Sequence, residues 1–410
     1  MDFNVKDFGA VGDGKTLNTK FIHDAIEECA KQGGGRVIIE NGTYLCGSIE
    51  MRSFVELHIA ANAVLLGSDD CINFPERTNV KHVDTNMLPR ERNACFIFAD
   101  ECENIALTGQ GKIDCNGDKF VYYERDVFWK YNRIDAPTPP RVVFFTGCKN
   151  VKIEDITMIN QPAGWSYWIH DCDYVTVDKI KIFANVDYPN NDGIHINCSR
   201  NVTVSNCDIS CGDDCIIVRA NSASLKTNKV CEKVSVTNCN LTSYSGGIRV
   251  GWVNDGVIRN CVFSNLVMTD TTVGISILLP PSTRPEFSDV GREETLIDNL
   301  SFNNIVMDKI CSNPVLIHIY ENEKIKVKAI KNLHFSEIHA KGLNFPKLIG
   351  RESAVLQNIR FNNCSFEMIN AEEIPNRFAH GATTTNDDLY HPMEIRFAEI
   401  IFNDCELRVK

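Results

Sequence analysis

The feature that most limits what this chain can fold into is a repeat. A polar residue, most often Asn, precedes a short strand of alternating apolar residues, and many copies end in Asn-Cys. Copies open at Asn104-Ile105-Ala106-Leu107, Asn150-Val151-Lys152-Ile153, Tyr174-Val175-Thr176-Val177, Asn201-Val202-Thr203-Val204 and Lys233-Val234-Ser235-Val236. They continue through Gly256-Val257-Ile258, Asn299-Leu300-Ser301-Phe302, Asn332-Leu333-His334-Phe335, Asn358-Ile359-Arg360-Phe361 and Glu399-Ile400-Ile401-Phe402. The shortest spacings run from the low twenties to the low thirties, and longer ones leave room for inserted loops. Short strands at such a period, without helices between them, predict a β-solenoid in which each coil adds one rung to a parallel sheet. About ten coils are expected, in a single elongated domain over residues 1–410. The repeated Asn and Cys suit ladders of like side chains along the axis.

A solenoid exposes a strand edge at each end. The segment Thr19 to Lys31 carries Phe21, Ile22, Ala25, Ile26 and Cys29 at helical spacing, which predicts a helix (about 18–31) covering the N-terminal edge. The glycines before it, Gly9, Gly12 and Gly14, follow no strong strand, so they form a turn and not a dinucleotide loop. Interruptions at about 73–92, 119–140, 280–294 and 372–392 read as loops that wall a groove on one face.

Composition then excludes partners. A net charge of -12 argues against nucleic acid and anionic membranes, which require a basic surface. Met1 to Phe8 lacks the basic start and apolar core of a secretory leader, so the chain as written is expected in the cytoplasm; a secreted protein with its leader removed would read the same. The 18 cysteines are expected to be buried free thiols. Cys207, Cys211 and Cys215 lack a matching Cys/His pair at zinc spacing, and no metal or other cofactor is predicted.

Chemistry concentrates between Asn190 and Arg219. Asp192 and Asp213 lie 21 positions apart, close to one coil, with Asp214 beside them. Neighbouring rungs would hold them about 4.8 Å apart along the axis. Crowded carboxylates repel, so at least one keeps its proton near neutral pH. A protonated acid beside an ionised carboxylate is what glycosidic cleavage needs. Around this trio, Asn190, His195, Arg219, Arg249, Trp165, Trp168 and Trp252 are the residues expected to bind a poly- or oligosaccharide, the tryptophans by stacking on sugar rings.

The chain resembles the polygalacturonase family, glycoside hydrolase family 28, over nearly its whole length. The resemblance rests on Phe8-Gly9-Ala10-Val11-Gly12-Asp13-Gly14-Lys15-Thr16, Gly42-Thr43-Tyr44-Leu45, Asn190-Asn191-Asp192-Gly193-Ile194-His195 and Gly212-Asp213-Asp214-Cys215. It implies an all-β, right-handed parallel β-helix and inverting hydrolysis of a pectic cell-wall saccharide, with Asp213 as general acid and Asp192 and Asp214 positioning and activating water. Two departures accompany it. Gly246 stands where the family has a histidine, and Ser276 and Leu278 stand where it has the cations that hold a galacturonate carboxylate. The expected enzyme is therefore a glycosidase on a substrate other than plain polygalacturonate, and it is expected to be exo-acting because only short imported chains would reach it in the cytoplasm. The alternatives are a β-helix lyase, with Ca²⁺ on the carboxylates and Arg219 or Arg249 as base, and a solenoid that binds carbohydrate without cleaving it.

Overall fold

A computed structural model describes all residues except 79, 88–92, 127–128, 136–140, 282–290, 375–392 and 410. The chain winds into a right-handed parallel β-helix with two long sheets. A 22-stranded sheet begins at Asp2–Asn4 and ends at Glu406–Val409. An 11-stranded sheet on the opposite side supplies one strand per coil, from Ile49–Glu50 to Glu394–Arg396. Eleven rungs slightly exceed the ten expected.

The repeated polar residue has a specific backbone duty. Asn104, Asn150, Tyr174, Asn201, Lys233, Asn260, Asn299, Asn332 and Asn358 all lie at φ between 51° and 57°, in the left-handed region. A second series at Lys179, Asn206, Asn238, Asn265, Asn304, Glu337 and Asn363 does the same one bend later. Asn tolerates this conformation better than other non-glycine residues, so each coil bends at fixed places without needing glycine. The side chains then bond along the axis: Asn150 to Asn104 at 3.2 Å, Asn299 to Asn260 at 2.8 Å, Asn304 to Asn265 at 2.8 Å, and Asn358 to Asn332 at 2.7 Å.

The cysteine that follows a bend turns inward, and its thiol donates to the carbonyl two residues back, as in Cys172 to His170, Cys207 to Ser205 and Cys364 to Asn362. All 18 cysteines are free thiols, and all but Cys71 and Cys405 are buried. Beside them run apolar ladders. Phe263, Phe302, Phe335, Phe361 and Phe402 stack with centroids 4.6 to 5.0 Å apart and planes within 17° of parallel.

Helix α1 spans Thr19–Lys31 and buries Ile22, Ala25, Ile26 and Cys29 against the first coils, covering the N-terminal edge as expected. Ahead of it, Asn18 is fully buried and holds the glycine-rich turn, accepting from the Val11 amide and donating to the carbonyls of Val11 and Thr16. The 119–140 interruption is not a plain loop, because Val121–Tyr123 and Tyr131–Arg133 pair as an antiparallel hairpin. Of the other interruptions, 282–290 and 375–392 lie outside the described residues.

Phe302 is fully buried and stacked between Phe263 and Phe335, so its deletion opens a cavity inside the ladder. Phe302→Ala is expected to cost about 3–5 kcal/mol, seen as a lowered urea midpoint by tryptophan fluorescence, with the far-ultraviolet β-signal of the folded state unchanged.

Candidate active site

The 11-stranded sheet positions the acids. Ile194 of the Ile194–Asn197 strand pairs with Ile216 of the Ile216–Arg219 strand, and Ile216 with Ile248 of Gly246–Val250. Extending that register by two residues puts Asp192 beside Asp214, and Asp214 beside Gly246. The ladder bonds agree, with Gly193 N donating to Asp214 O and Cys215 N to Gly246 O. This corrects the expected register: Asp192 stacks on Asp214, and Asp213 sits one residue earlier in the turn. Two other side chains fix that turn. Asn191, fully buried, accepts from Gly212 N at 2.7 Å and donates to Asn185 O at 2.6 Å. Trp129, from the hairpin of residues 121–133, donates its indole N–H to Gly212 O at 2.7 Å. A Cβ at Gly212 would lie 2.4 Å from the Tyr188 carbonyl, so this turn admits only glycine.

Asp192, Asp213 and Asp214 are 4 to 8 % exposed, and one oxygen from each lies within 4.8 Å of the others. Their partners differ. Asp214 accepts from Arg249 Nε, from Arg249 Nη2 at 3.2 Å and from Ser245 Oγ at 3.0 Å. Asp192 bonds His195 Nε2 at 2.9 Å. Asp213 receives Asn190 Nδ2 at 3.1 Å and the Asp214 amide at 3.0 Å. Burial first, then the charges of Asp192 and Asp214, push the Asp213 carboxyl well above the usual carboxylate range, and the opposing pull of Arg249 is weaker. The site thus sets a carboxyl whose proton is held more tightly than usual beside one paired with a guanidinium.

The remaining expected ligands are placed less uniformly. Arg219 forms a forked pair with the fully buried Asp255, at 2.6 and 2.8 Å. Trp165 stacks on His195, centroids 3.7 Å apart, with the Arg141 guanidinium 4.8 Å from its ring. Trp168 must be withdrawn as a sugar platform, since it is 2 % exposed and stacked against Phe144 and His170. It lies buried with Val83 and Leu225, which form an antiparallel bridge, and Asp84 N donates to Ser224 O at 2.9 Å beside it. Trp252 remains half-buried, with Arg249 4.8 Å from its ring centroid.

At the first departure, a Cβ on Gly246 would fall 2.5 Å from Asp214 Oδ1. A side chain there would have to displace the Asp214 carboxylate, and Arg249 supplies the contact to Asp214 instead. Neither arginine is available as a base, because Arg219 is held by Asp255 and Arg249 by Asp214, and the lyase alternative is not favoured. The three carboxylates have the spacing of a cation site, but Asp214 already spends both oxygens on Arg249 and Ser245. Cys211 and Cys215 lie 3.6 Å apart beneath the turn, with Cys211 donating to Asp213 O, and Cys207 bonds elsewhere.

Comparison with known proteins decides the family. The profile described as "Glycosyl hydrolases family 28" matches residues 63–365. The chain belongs to this family. A second profile, "Rhamnogalacturonase A/epimerase, pectate lyase-like", matches residues 3–70. A "Probable polygalacturonase" of Vitis vinifera is 28% identical over 66% of the chain, and the match spans only 55% of that relative's length. One of Arabidopsis thaliana is 24% identical over 95% of the chain and 83% of its own length. Among solved structures, the exopolygalacturonase of Thermotoga maritima superposes with a TM-score of 0.75 at 20% identity, covering 100% of this chain and 92% of that one. This likeness speaks to the fold.

Sequence reading missed Asn191, Trp129, Ser245 and Asp255. Only Asn191, inside the Asn-Asn-Asp run, carried a local signal.

The raised Asp213 pKa has a sign that can be measured. Well below the ordinary Asp value of about 3.9 the carboxyl is neutral in both folded and unfolded chains. As pH rises toward the folded pKa, the unfolded state ionises first and folding stability is lost. Asp213→Asn removes that loss. The variant is expected to melt with wild type at pH 3.5 and increasingly above it as pH rises, in paired thermal scans across pH 3.5 to 8.

Proposed function

We propose that this family 28 member is an exo-acting glycosidase that hydrolyses a pectic oligosaccharide. The observation that carries the reading is the split within the trio: burial and two neighbouring charges push the Asp213 carboxyl well above the usual carboxylate range, while Asp214 is paired with the Arg249 guanidinium. In the proposed reaction Asp213 gives its proton to the glycosidic oxygen, and the leaving sugar departs as the alcohol. Asp192 and Asp214 hold a water, which passes a proton to the Asp192 carboxylate as it attacks the anomeric carbon. His195 orients Asp192 from the side, its ring fixed by stacking on Trp165.

Exo action is supported by what lies before the acids on the same face. Phe98, Phe144 and Trp168 occupy successive rungs and are at most 4 % exposed, packed with Val83 and Leu225 where two loops join. A wall at that point leaves a saccharide chain room to continue in only one direction. The expected product is therefore a single short unit throughout the digestion of a defined oligomer, read by mass spectrometry of a time course. A ladder of intermediate lengths from the first minutes would contradict the exo reading.

For the chemistry, Asp213→Asn is expected to lower kcat by about 10²–10⁴-fold, with products that incorporate ¹⁸O from labelled water. An unsaturated product absorbing in the ultraviolet would mean elimination instead. Inversion is the outcome associated with this family by resemblance. Proton NMR of the first anomer released tests this directly. A product of retained configuration would make Asp192 or Asp214 a nucleophile.

A further inference from the structure

The wall before the acids has a fastening of its own. Strands Cys95–Asp100, Arg141–Thr146 and Trp165–His170 stack with Asp100, Thr146 and His170 in register. The residues just past them, Glu101, Gly147 and Asp171, follow one another along the exit end of the 11-stranded sheet, all at φ between 46° and 64°. The imidazole of His82 sits in this row. Its Nε2 lies 2.9 Å from an Asp171 oxygen and its Nδ1 3.6 Å from a Glu101 oxygen. Gly147 makes the space, since a Cβ there would lie 2.6 Å from the ring. The Lys81 and His82 amides donate to the Asp100 carboxylate at 2.8 and 3.3 Å. The segment that carries His82 thus crosses the outward face of the sheet from entry to exit: Phe74 meets Phe96, Arg77 lies 4.4 Å from the Phe98 ring centroid, and His82 reaches the residues beyond Asp100.

Both halves of the wall converge on Asp171. Lys229, from the loop that carries Leu225, lies 3.4 Å from the same carboxylate, and Arg200 donates to it at 3.0 Å. Because Asp171 is buried, these pairs are weakly screened. An imidazole donates from both nitrogens only when it is charged, so a place between two carboxylates favours the cation. Burial opposes the charged ring, but the hydrogen bond and charge of Asp171, with Glu101 behind them, outweigh it and hold the His82 pKa above its ordinary value. On the side of the wall away from the acids, Glu50, Arg77, Lys81, Phe98 and Asp100 help to line a cavity of about 670 Å³. Its floor belongs to the first two rungs of the sheet, and Phe98, Phe144 and Trp168 lead from there to His195. The wall is what separates this cavity from the acid cleft.

We propose that His82 is a specificity-determining residue: clasped by Asp171 and Glu101 against Gly147, it keeps residues 80–87 shut across the groove, so that a saccharide enters the acid cleft from one side only. Release of the clasp joins the cavity to the cleft and admits the interior of a chain. The proposal rests on the exo reading for its effect on products but not for the clasp itself. Two variants undo the clasp from opposite sides: His82→Ala removes the ring, and Gly147→Ala fills its seat. Amide hydrogen exchange of the whole chain without substrate, read by mass spectrometry, is expected to quicken about tenfold across residues 80–87 in both, with α1 unchanged. Unchanged exchange there in both variants would overturn the clasp. The same proteins then digest a hexagalacturonide and its methyl ester, with products sized at early conversion. Wild type is expected to release one pair of product lengths, and both variants additional pairs from internal cuts. Faster exchange with an unaltered product pair would overturn the role in specificity. Several pairs from the wild type, or no cleavage of either probe, would instead overturn the exo-hydrolase reading and leave the exchange result to decide the clasp.

Discussion

Everything in this molecule depends on coils that bend at the same place on every turn. A parallel stack holds its strands about 4.8 Å apart and tolerates no drift, because a one-residue slip would turn the apolar face outward. The left-handed Asn positions solve this. Each sets a bend in its own coil, and several bond the equivalent residue of the neighbouring one, so registration passes along the axis through side chains as well as through the ladder. The thiols and phenyl rings that follow stack because the bends before them already coincide.

That same registration creates the chemistry. Stacking rungs puts like positions over like, and where the positions are acidic it forces charges together that would separate in a less constrained fold. The chain answers with compensation instead of distance. Arg249 neutralises one carboxylate, His195 engages a second, and the third retains a proton. Gly246 belongs to the same solution, since any larger residue would occupy the space that the Asp214 carboxylate takes.

What the sequence disclosed follows from which surfaces alternate. Strands of the larger sheet face the core on one side and water on the other, so Val-Thr-Val and Val-Ser-Val runs announced them, and α1 declared itself by its helical spacing. Strands such as Arg141–Thr146 and Trp165–His170 are buried on both faces and carry no alternation, so the groove's own floor was largely silent. The acid trio was legible because one coil separates Asp192 from Asp213, but the one-residue offset that pairs Asp192 with Asp214 is set by hydrogen bonds that spacing does not resolve. Trp168 could not be told from an exposed aromatic because its cover comes from Val83 and Leu225, far away in sequence. Trp129 and Asp255 are likewise joined to their partners, Gly212 and Arg219, only by the fold.

The acids lie on the turns entering the fifth and sixth of the eleven strands in the smaller sheet. A stack whose units touch only their neighbours loses order from its ends, as a zipper does. Four coils precede the catalytic pair and five follow it, so the terminal coils act as sacrificial padding. Heat or denaturant would have to consume most of this padding before the carboxylates moved relative to one another, which makes the working geometry more durable than the molecule that carries it.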